Sequence, residues 1–344
     1  MKLTTTQADL DYALRTIAPA VGVRSSHPIL DCCLIRAQAG AMTVTGFNLD
    51  LGITVAIPAA VETEGVVALP YRLLAGLVSR VEGDEAIELL DGALSAASGS
   101  YGLAAANAED YPDLPVVDAQ SAQLALSHGI RACMAAASND ASKQLLQGVH
   151  LADGFMEATD GHRLMRYAID LPAGIDLILP VSTMKLLQDR VVTIAAAAGQ
   201  AVIDAGDGIT IYSRLLDGTY PNVAGLIPAA YTTAITVDRH RLTRALERVA
   251  IIAEVVKILI GDKGTIVISA EADANNGTEA LKYDGSTGKL ALAFNVHYLL
   301  DGLKAFRGHE SVTLSANSST SPVVLTPSDA ADKTYLVMPV QVRT

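Results

Sequence analysis

Asp160 and His162, flanking Gly161, are residues of this 344-residue chain whose types and spacing could do chemistry. Residues two apart on a strand share a face, so the two could act as an acid–base pair or as part of a metal site. A metal centre needs at least a third ligand, and a lone Asp/His pair without one is usually structural. No phosphate-cradling glycine loop of the Walker type occurs, and no Gly-x-Ser-x-Gly elbow. We therefore assign no catalytic residue and expect neither a metal nor a cofactor. Three cysteines, two of them adjacent (Cys32 and Cys33), make neither a disulfide framework nor a zinc ligand set. They read as small buried apolar residues of a cytoplasmic protein, and the triplet Asn276-Gly277-Thr278 is then a chance glycosylation match.

The elements that would position such residues recur. The frame Leu-x-x-(Ala/Gly)-(Leu/Ile) appears at Leu10–Leu14, Leu126–Ile130 and Leu242–Leu246, each copy 116 residues after the last. Three times that offset is close to the chain length, which points to one module copied three times. Modules of roughly 115 residues fall in the usual domain range. Half of the residues are apolar, ample for a core in each module, and no run approaches eighteen apolar residues.

Each frame opens an apolar run with helical spacing; Leu242, Leu246, Val249 and Ala250 share one helix face. A second frame follows at Leu69-Pro70-Tyr71, Leu179-Pro180-Val181 and Phe294-Asn295-Val296, with Pro or Asn where a helix begins. The predicted helices span 8–19, 71–82, 125–137, 181–192, 240–253 and 296–307. Short alternating runs broken by Gly and Asp-Gly pairs, such as Thr265-Ile266-Val267-Ile268-Ser269, read as antiparallel strands. The expected fold class is α+β: three tandem modules, each with two helices packed on antiparallel sheet, bounded at 1–117, 118–230 and 231–344.

A net charge of −12 alone argues against nucleic acid, but its distribution is uneven. The six predicted helices carry eleven Arg or Lys and six acidic residues, a net +5 that leaves −17 for the remainder. Arg241, Arg244 and Arg248 fall on one face, and Lys304 and Arg307 are three apart. A basic helical face touches phosphates and reads no sequence. Aromatics are only 4%, so stacking on single-stranded bases is not the mode. Helices pack roughly 8–10 Å apart, so six in a circle leave an opening on the order of 10 Å, and twelve leave about 25–30 Å. A duplex about 20 Å across therefore needs two chains, joined head to tail with sheet edges pairing.

At this point the whole chain resembles the bacterial replicative sliding clamps, the β subunits of DNA polymerase III. The segments that carry the resemblance are Ala158-Thr159-Asp160-Gly161-His162-Arg163-Leu164, Asp217-Gly218-Thr219-Tyr220-Pro221, Phe294-Asn295-Val296 and Tyr335-Leu336-Val337-Met338-Pro339. It implies a non-catalytic accessory subunit: a homodimeric ring of six clamp modules around duplex DNA, of which one chain is half. The implied partners are double-stranded DNA, the polymerase catalytic subunit, a clamp loader and other proteins with a clamp-binding motif, with no membrane. Those proteins insert a short peptide of apolar residues and glutamine into a pocket. The pocket residues carried over are Leu146, Thr159, Gly161, His162, Arg163, Leu164, Pro221, Leu226, Pro322, Val337, Met338 and Pro339. His162 and Arg163 are the expected polar contacts at its rim. DNA contacts carry over to Arg24, Arg72, Lys143 and Gln144. The chain departs from the family pattern at Gly225 and Pro322, in the short stretch Glu254-Val255-Val256-Lys257, and in the tail beyond Pro339. A repeat scaffold with no DNA role is the alternative reading. It explains the periodicity but not the segregated charge.

Overall fold

The computed structural model describes residues 1–22, 27–126, 129–188, 190–261, 264–286 and 289–341. Six helices occur among them: α1 (Gln7–Ile17), α2 (Tyr71–Val78), α3 (Ile130–Ala136), α4 (Val181–Met184), α5 (Arg239–Val249) and α6 (Val296–Ala305). Local chemistry fixes their starts. Thr6, Asp238 and Asn295 each present a side-chain oxygen to a backbone N–H of the first turn of α1, α5 and α6, at 3.1, 2.7 and 2.9 Å. Helices α2 and α4 begin directly after Pro70 and Pro180. Helix α5 shows the amphipathic logic, burying Leu242, Ala245, Leu246 and Val249 while Arg241, Arg244 and Arg248 stay exposed.

Several helices are shorter than their apolar spacing predicts. The expected helix at 181–192 is four residues of α4 plus a tight turn over Lys185–Leu187. The run Val191-Val192-Thr193-Ile194 is β-branched throughout and enters a strand, Val191–Ala197. Likewise α3 begins only at Ile130, since Ala122–Ala125 is a strand. Helix α2 stops at Val78, ahead of Gly83.

The chain divides into two compact units, Met1–Ala125 with Arg190–Leu215, and Leu126–Asp189 with Leu216–Thr344. The first holds a five-stranded sheet in the order Ala60–Thr63, Lys2–Thr6, Ala86–Leu90, Ala93–Ala96, Gly99–Gly102. Its eight-stranded sheet runs Ala122–Ala125, Val191–Ala197, Gln200–Asp204, Ile209–Arg214, Leu51–Pro58, Ala41–Phe47, Cys32–Gln38, Gly65–Pro70. The second unit holds a nine-stranded sheet, Asp176–Pro180, Gly148–Ala152, Phe155–Thr159, Arg163–Ala168, Lys333–Val337, Val323–Pro327, Ser311–Ala316, Thr233–Asp238, Asp284–Ser286. Its four-stranded sheet runs Asn275–Lys282, Thr265–Ala272, Val255–Ile260, Leu290–Asn295.

One strand order repeats through these sheets. A group of four ends in Leu51–Pro58, a second in Arg163–Ala168 and a third in Asn275–Lys282. The first terminal strand pairs antiparallel with Ile209–Arg214 and the second with Lys333–Val337. The third lies at the edge of its sheet, as does Gly99–Gly102 at the end of the five-stranded sheet. Alternation supplies the core: in Val255–Ile260, Val256, Ile258 and Ile260 are buried while their neighbours face out.

Candidate functional site

Phe155–Thr159 and Arg163–Ala168 form a hairpin whose turn is tied by its own side chains. Asp160 Oδ1 accepts the His162 and Arg163 backbone N–H groups at 2.8 and 3.0 Å. Thr159 Oγ1 accepts the Gly161 N–H at 3.0 Å and donates to the Arg163 carbonyl at 2.6 Å. Gly161 sits at φ 93°, a left-handed conformation that disfavours any side chain. The Asp160 carboxylate thus works on the turn and on Arg163 Nε at 3.0 Å, rather than as an acid–base partner of His162.

Arg163 is buried. Its Nη1 donates to Asp301 Oδ2 of α6 at 2.6 Å, and its guanidinium lies 4.6 Å from the Tyr298 ring centroid. Burial opposes the charge, but the Tyr335 hydroxyl and the Asp301 and Asp160 carboxylates outweigh it and raise the Arg163 pKa above its ordinary value. The guanidinium is held by Asp160, Asp301 and the Tyr298 ring, while the exposed His162 ring stacks on Tyr298 at 6.2 Å.

Beside this turn lies an apolar cluster of Leu164, Ile178, Tyr220, Val223, Val324 and Leu336. Packed on it, and only partly covered, are Leu145, Leu146, Leu216, Ile227, Tyr231 and Met338. Half-covered apolar side chains over a fully buried floor are what a peptide's leucine or phenylalanine can complete. The Met338 N–H donates to the His162 carbonyl at 2.8 Å, which fixes that wall to the turn. The Tyr220 hydroxyl accepts the Thr159 N–H at 3.1 Å, and burial raises its pKa.

Of the twelve residues expected to line the pocket, Leu146, Leu164 and Met338 meet in this cluster. Thr159, Gly161, His162 and Arg163 form the tied turn. Leu226 is 53% exposed on a short turn before Ile227, and Pro221 is exposed beside Tyr220. Val337 is fully buried, pairs with Arg163 and Val323, and points away from the face that Leu336 presents to the cluster. Pro322 and Pro339 are half-buried at the ends of the strands that carry Val324 and Leu336. Sequence reasoning missed Tyr298 and Asp301; their signal was only their place, three and six residues past Asn295.

It also missed His150 beneath the cluster. The His150 ring stacks on Tyr220 at 4.7 Å, with Glu157 at 3.0 Å from Nδ1 and Asp176 at 2.9 Å from Nε2. Burial lowers its pKa, yet the hydrogen bonds and charges of Glu157 and Asp176 prevail and raise it above the ordinary 6.5. Arg166 Nε also approaches Glu157 at 3.2 Å.

Among residues expected to meet DNA, Arg24 lies outside the described residues. Arg72 is exposed on α2, and Gln144 is exposed at the start of a short turn. Lys143 Nζ donates to the Asp160 carbonyl at 3.0 Å, so it braces the turn at 160–162. Ten of the eleven helix-associated cations are exposed, Arg190 being half-buried. Arg72, Lys185, Arg241, Arg244 and Arg307 make no ion pair among the described residues.

The fold is that of the DNA polymerase sliding clamps. The clamp of Bacillus subtilis matches with a TM-score of 0.92 over 100% of both chains at 24% identity. A clamp of Pseudomonas aeruginosa bound to griselimycin matches at 0.90 and 23% identity, over 99% of this chain and 100% of that one. In sequence, residues 1–115 match the DNA polymerase III beta subunit N-terminal domain family, and 224–341 the C-terminal domain family. The beta sliding clamp of Synechococcus elongatus is 36% identical over 100% of both chains, and that of Synechocystis sp. 31% over 99% of both. The chain belongs to the DNA polymerase III beta subunit family, the beta sliding clamps. No helix among the described residues is long and apolar enough to cross a membrane.

Proposed function

We propose that this chain is a DNA sliding clamp: two copies close head to tail into a ring that encircles duplex DNA and confers processivity on the replicative polymerase. The observation that carries the reading is the pair of unmatched sheet edges. Twice within the chain the terminal strand of one four-stranded group pairs with the last strand of the next stretch. Among the described residues Asn275–Lys282 and Gly99–Gly102 remain without that partner, and a second copy supplies each. Joining them makes a nine-stranded sheet like the one already inside the chain. Apolar surface waits beside both edges: Tyr101 is 39% exposed, and Ile251, 85% exposed, adjoins the Ile252 side chain that packs on Gly277.

The repeated strand order supports modules at 1–117, 118–230 and 231–344, so the dimer has six modules and twelve helices. We assign the phosphate contacts to Arg24, Arg72, Lys143 and Gln144, together with the cations of the helices. Contacts of that kind change little in energy as the ring translates, so linkage rather than affinity retains it. The cleft at Leu146, Leu164, Leu226 and Met338 receives the apolar peptide of the polymerase catalytic subunit, the clamp loader and other partners. This work belongs to the cytoplasm, where a bacterial chromosome is replicated. Sedimentation should give twice 35.8 kDa, and Ile251→Asp should shift the mass toward the single chain. Clamp loaded on circular duplex should stay bound at high salt and be lost when the circle is cut. Retention that ignores DNA topology would favour the scaffold alternative.

A further inference from the structure

We infer that Asp301, on α6, is a positioning residue for the peptide pocket: it holds Arg163, and through Arg163 the turn that anchors Met338. The inference rests on the pocket reading above and deepens it. Its steps are all bonded. Arg163 Nη1 donates to Asp301 Oδ2 at 2.6 Å, and Arg163 Nε donates to Asp160 Oδ2 at 3.0 Å. Asp160 Oδ1 fixes the His162 and Arg163 amides, and the His162 carbonyl receives the Met338 N–H at 2.8 Å.

Arg163 is placed where it needs two carboxylates. Its side chain is only 10% exposed, sandwiched against Tyr298, while Asp160 is already shared with two backbone amides. A buried guanidinium deprived of one partner is left with uncompensated charge, a cost it can relieve by moving toward water. That movement would pull Asp160 out of the turn and shift the His162 carbonyl from Met338. Asp301 is itself well placed to resist. Gly302, its neighbour, lies flat against Tyr335, where an added Cβ would sit 2.5 Å from the ring. The Tyr335 hydroxyl bonds the Tyr298 carbonyl at 2.8 Å, one turn back along α6. The remaining Asp301 oxygen meets Lys304 at 3.3 Å, an exposed pair that adds little. Asp301 lies 138 residues from Arg163 in sequence, so the pocket's shape is set by an element that contributes no apolar lining to it.

The test measures binding of a fluorescein-labelled peptide containing Gln-Leu-Ala-Leu-Phe by anisotropy, on the full-length protein. Asp301→Asn, isosteric and able to keep the fold, should weaken the peptide about tenfold. Asp301→Glu should restore affinity to within about twofold, a rescue that general destabilisation would not show. The mass and thermal midpoint of each variant are recorded alongside. Wild-type affinity in Asp301→Asn overturns the inference, and so does failure of Asp301→Glu to recover it. Met338→Asp serves as the separate control. If it abolishes binding while Asp301→Asn does not, the positioning role alone is wrong. If Met338→Asp binds normally, the pocket assignment falls and the inference with it.

Discussion

The two strand joints inside this chain share a topology and differ in what they carry. At the first, Leu51–Pro58 pairs with Ile209–Arg214; at the second, Arg163–Ala168 pairs with Lys333–Val337. A buried Tyr followed by Pro stands near each, Tyr111-Pro112 and Tyr220-Pro221. At the first joint the following Leu114 folds over Gly52, within 3.2 Å of where a Cβ would be, and Tyr212 joins it. At the second, the residues after Pro221 leave Ile227 and Met338 half-covered over a buried floor. At the first joint the half-buried Leu114 packs onto Gly52 from the same chain, and at the second the half-buried Ile227 and Met338 border the cleft that we propose a partner peptide completes. The ionic contacts differ in the same sense. Arg214 and Asp50 meet at 3.6 Å with both side chains mostly in water, whereas Arg163 is buried between two carboxylates. On the proposed function, a shared scaffold becomes a recognition site through a few residues beside the seam.

The contrast can be broken most directly at the cleft. Met338→Asp should weaken the labelled peptide at least ~100-fold by anisotropy, with the dimer mass unchanged. Leu114→Asp at the first joint should leave peptide affinity as it was, and a comparable loss there would erase the distinction. Next in size is the pair of tyrosines. Tyr220→Phe strips the buried Thr159 N–H of its acceptor and should cost about 1–3 kcal/mol in urea unfolding. Tyr111→Phe removes only a 3.4 Å bond to the Thr45 carbonyl and should cost about 1 kcal/mol or less.

A smaller effect follows from His150. Its folded pKa is raised, so the stability it supplies is complete below 6.5 and is lost as pH rises through the higher folded value. Unfolding measured from pH 6 upward should show that decline in the wild type and a flatter profile in His150→Gln. The smallest change is expected at the first joint's exposed pair: Arg214→Ala should alter stability by about 0.5 kcal/mol or less. A larger value would mean the two joints are latched alike.

The repeat and the helix start at Asn295 were legible because they depend on local spacing and capping, and the clamp fold was legible through the family resemblance carried by segments such as Ala158–Leu164. Helix lengths were not. Apolar residues at helical intervals also suit a strand, and Val191-Val192-Thr193-Ile194 took the extended form that β-branching favours. In the pocket, Leu164 and Met338 could be found from the motifs that surround them. The anchoring of Arg163 could not, since Asp301 reaches it only through folding, and an arginine beside a histidine reads as a rim cation until its carboxylates are seen. His150 had no motif at all; its role comes from a strand pairing that sets it opposite Glu157.

Gly99–Gly102 is four residues long, whereas the strands that close the internal joints, Ile209–Arg214 and Lys333–Val337, have six and five. A backbone ladder can be no longer than its shorter rail, so of the three kinds of closure in the proposed circle the one between molecules has the fewest rungs. Prising such an assembly apart would start there, with each polypeptide still folded, and the break would reseal without any chain having to find its native state again.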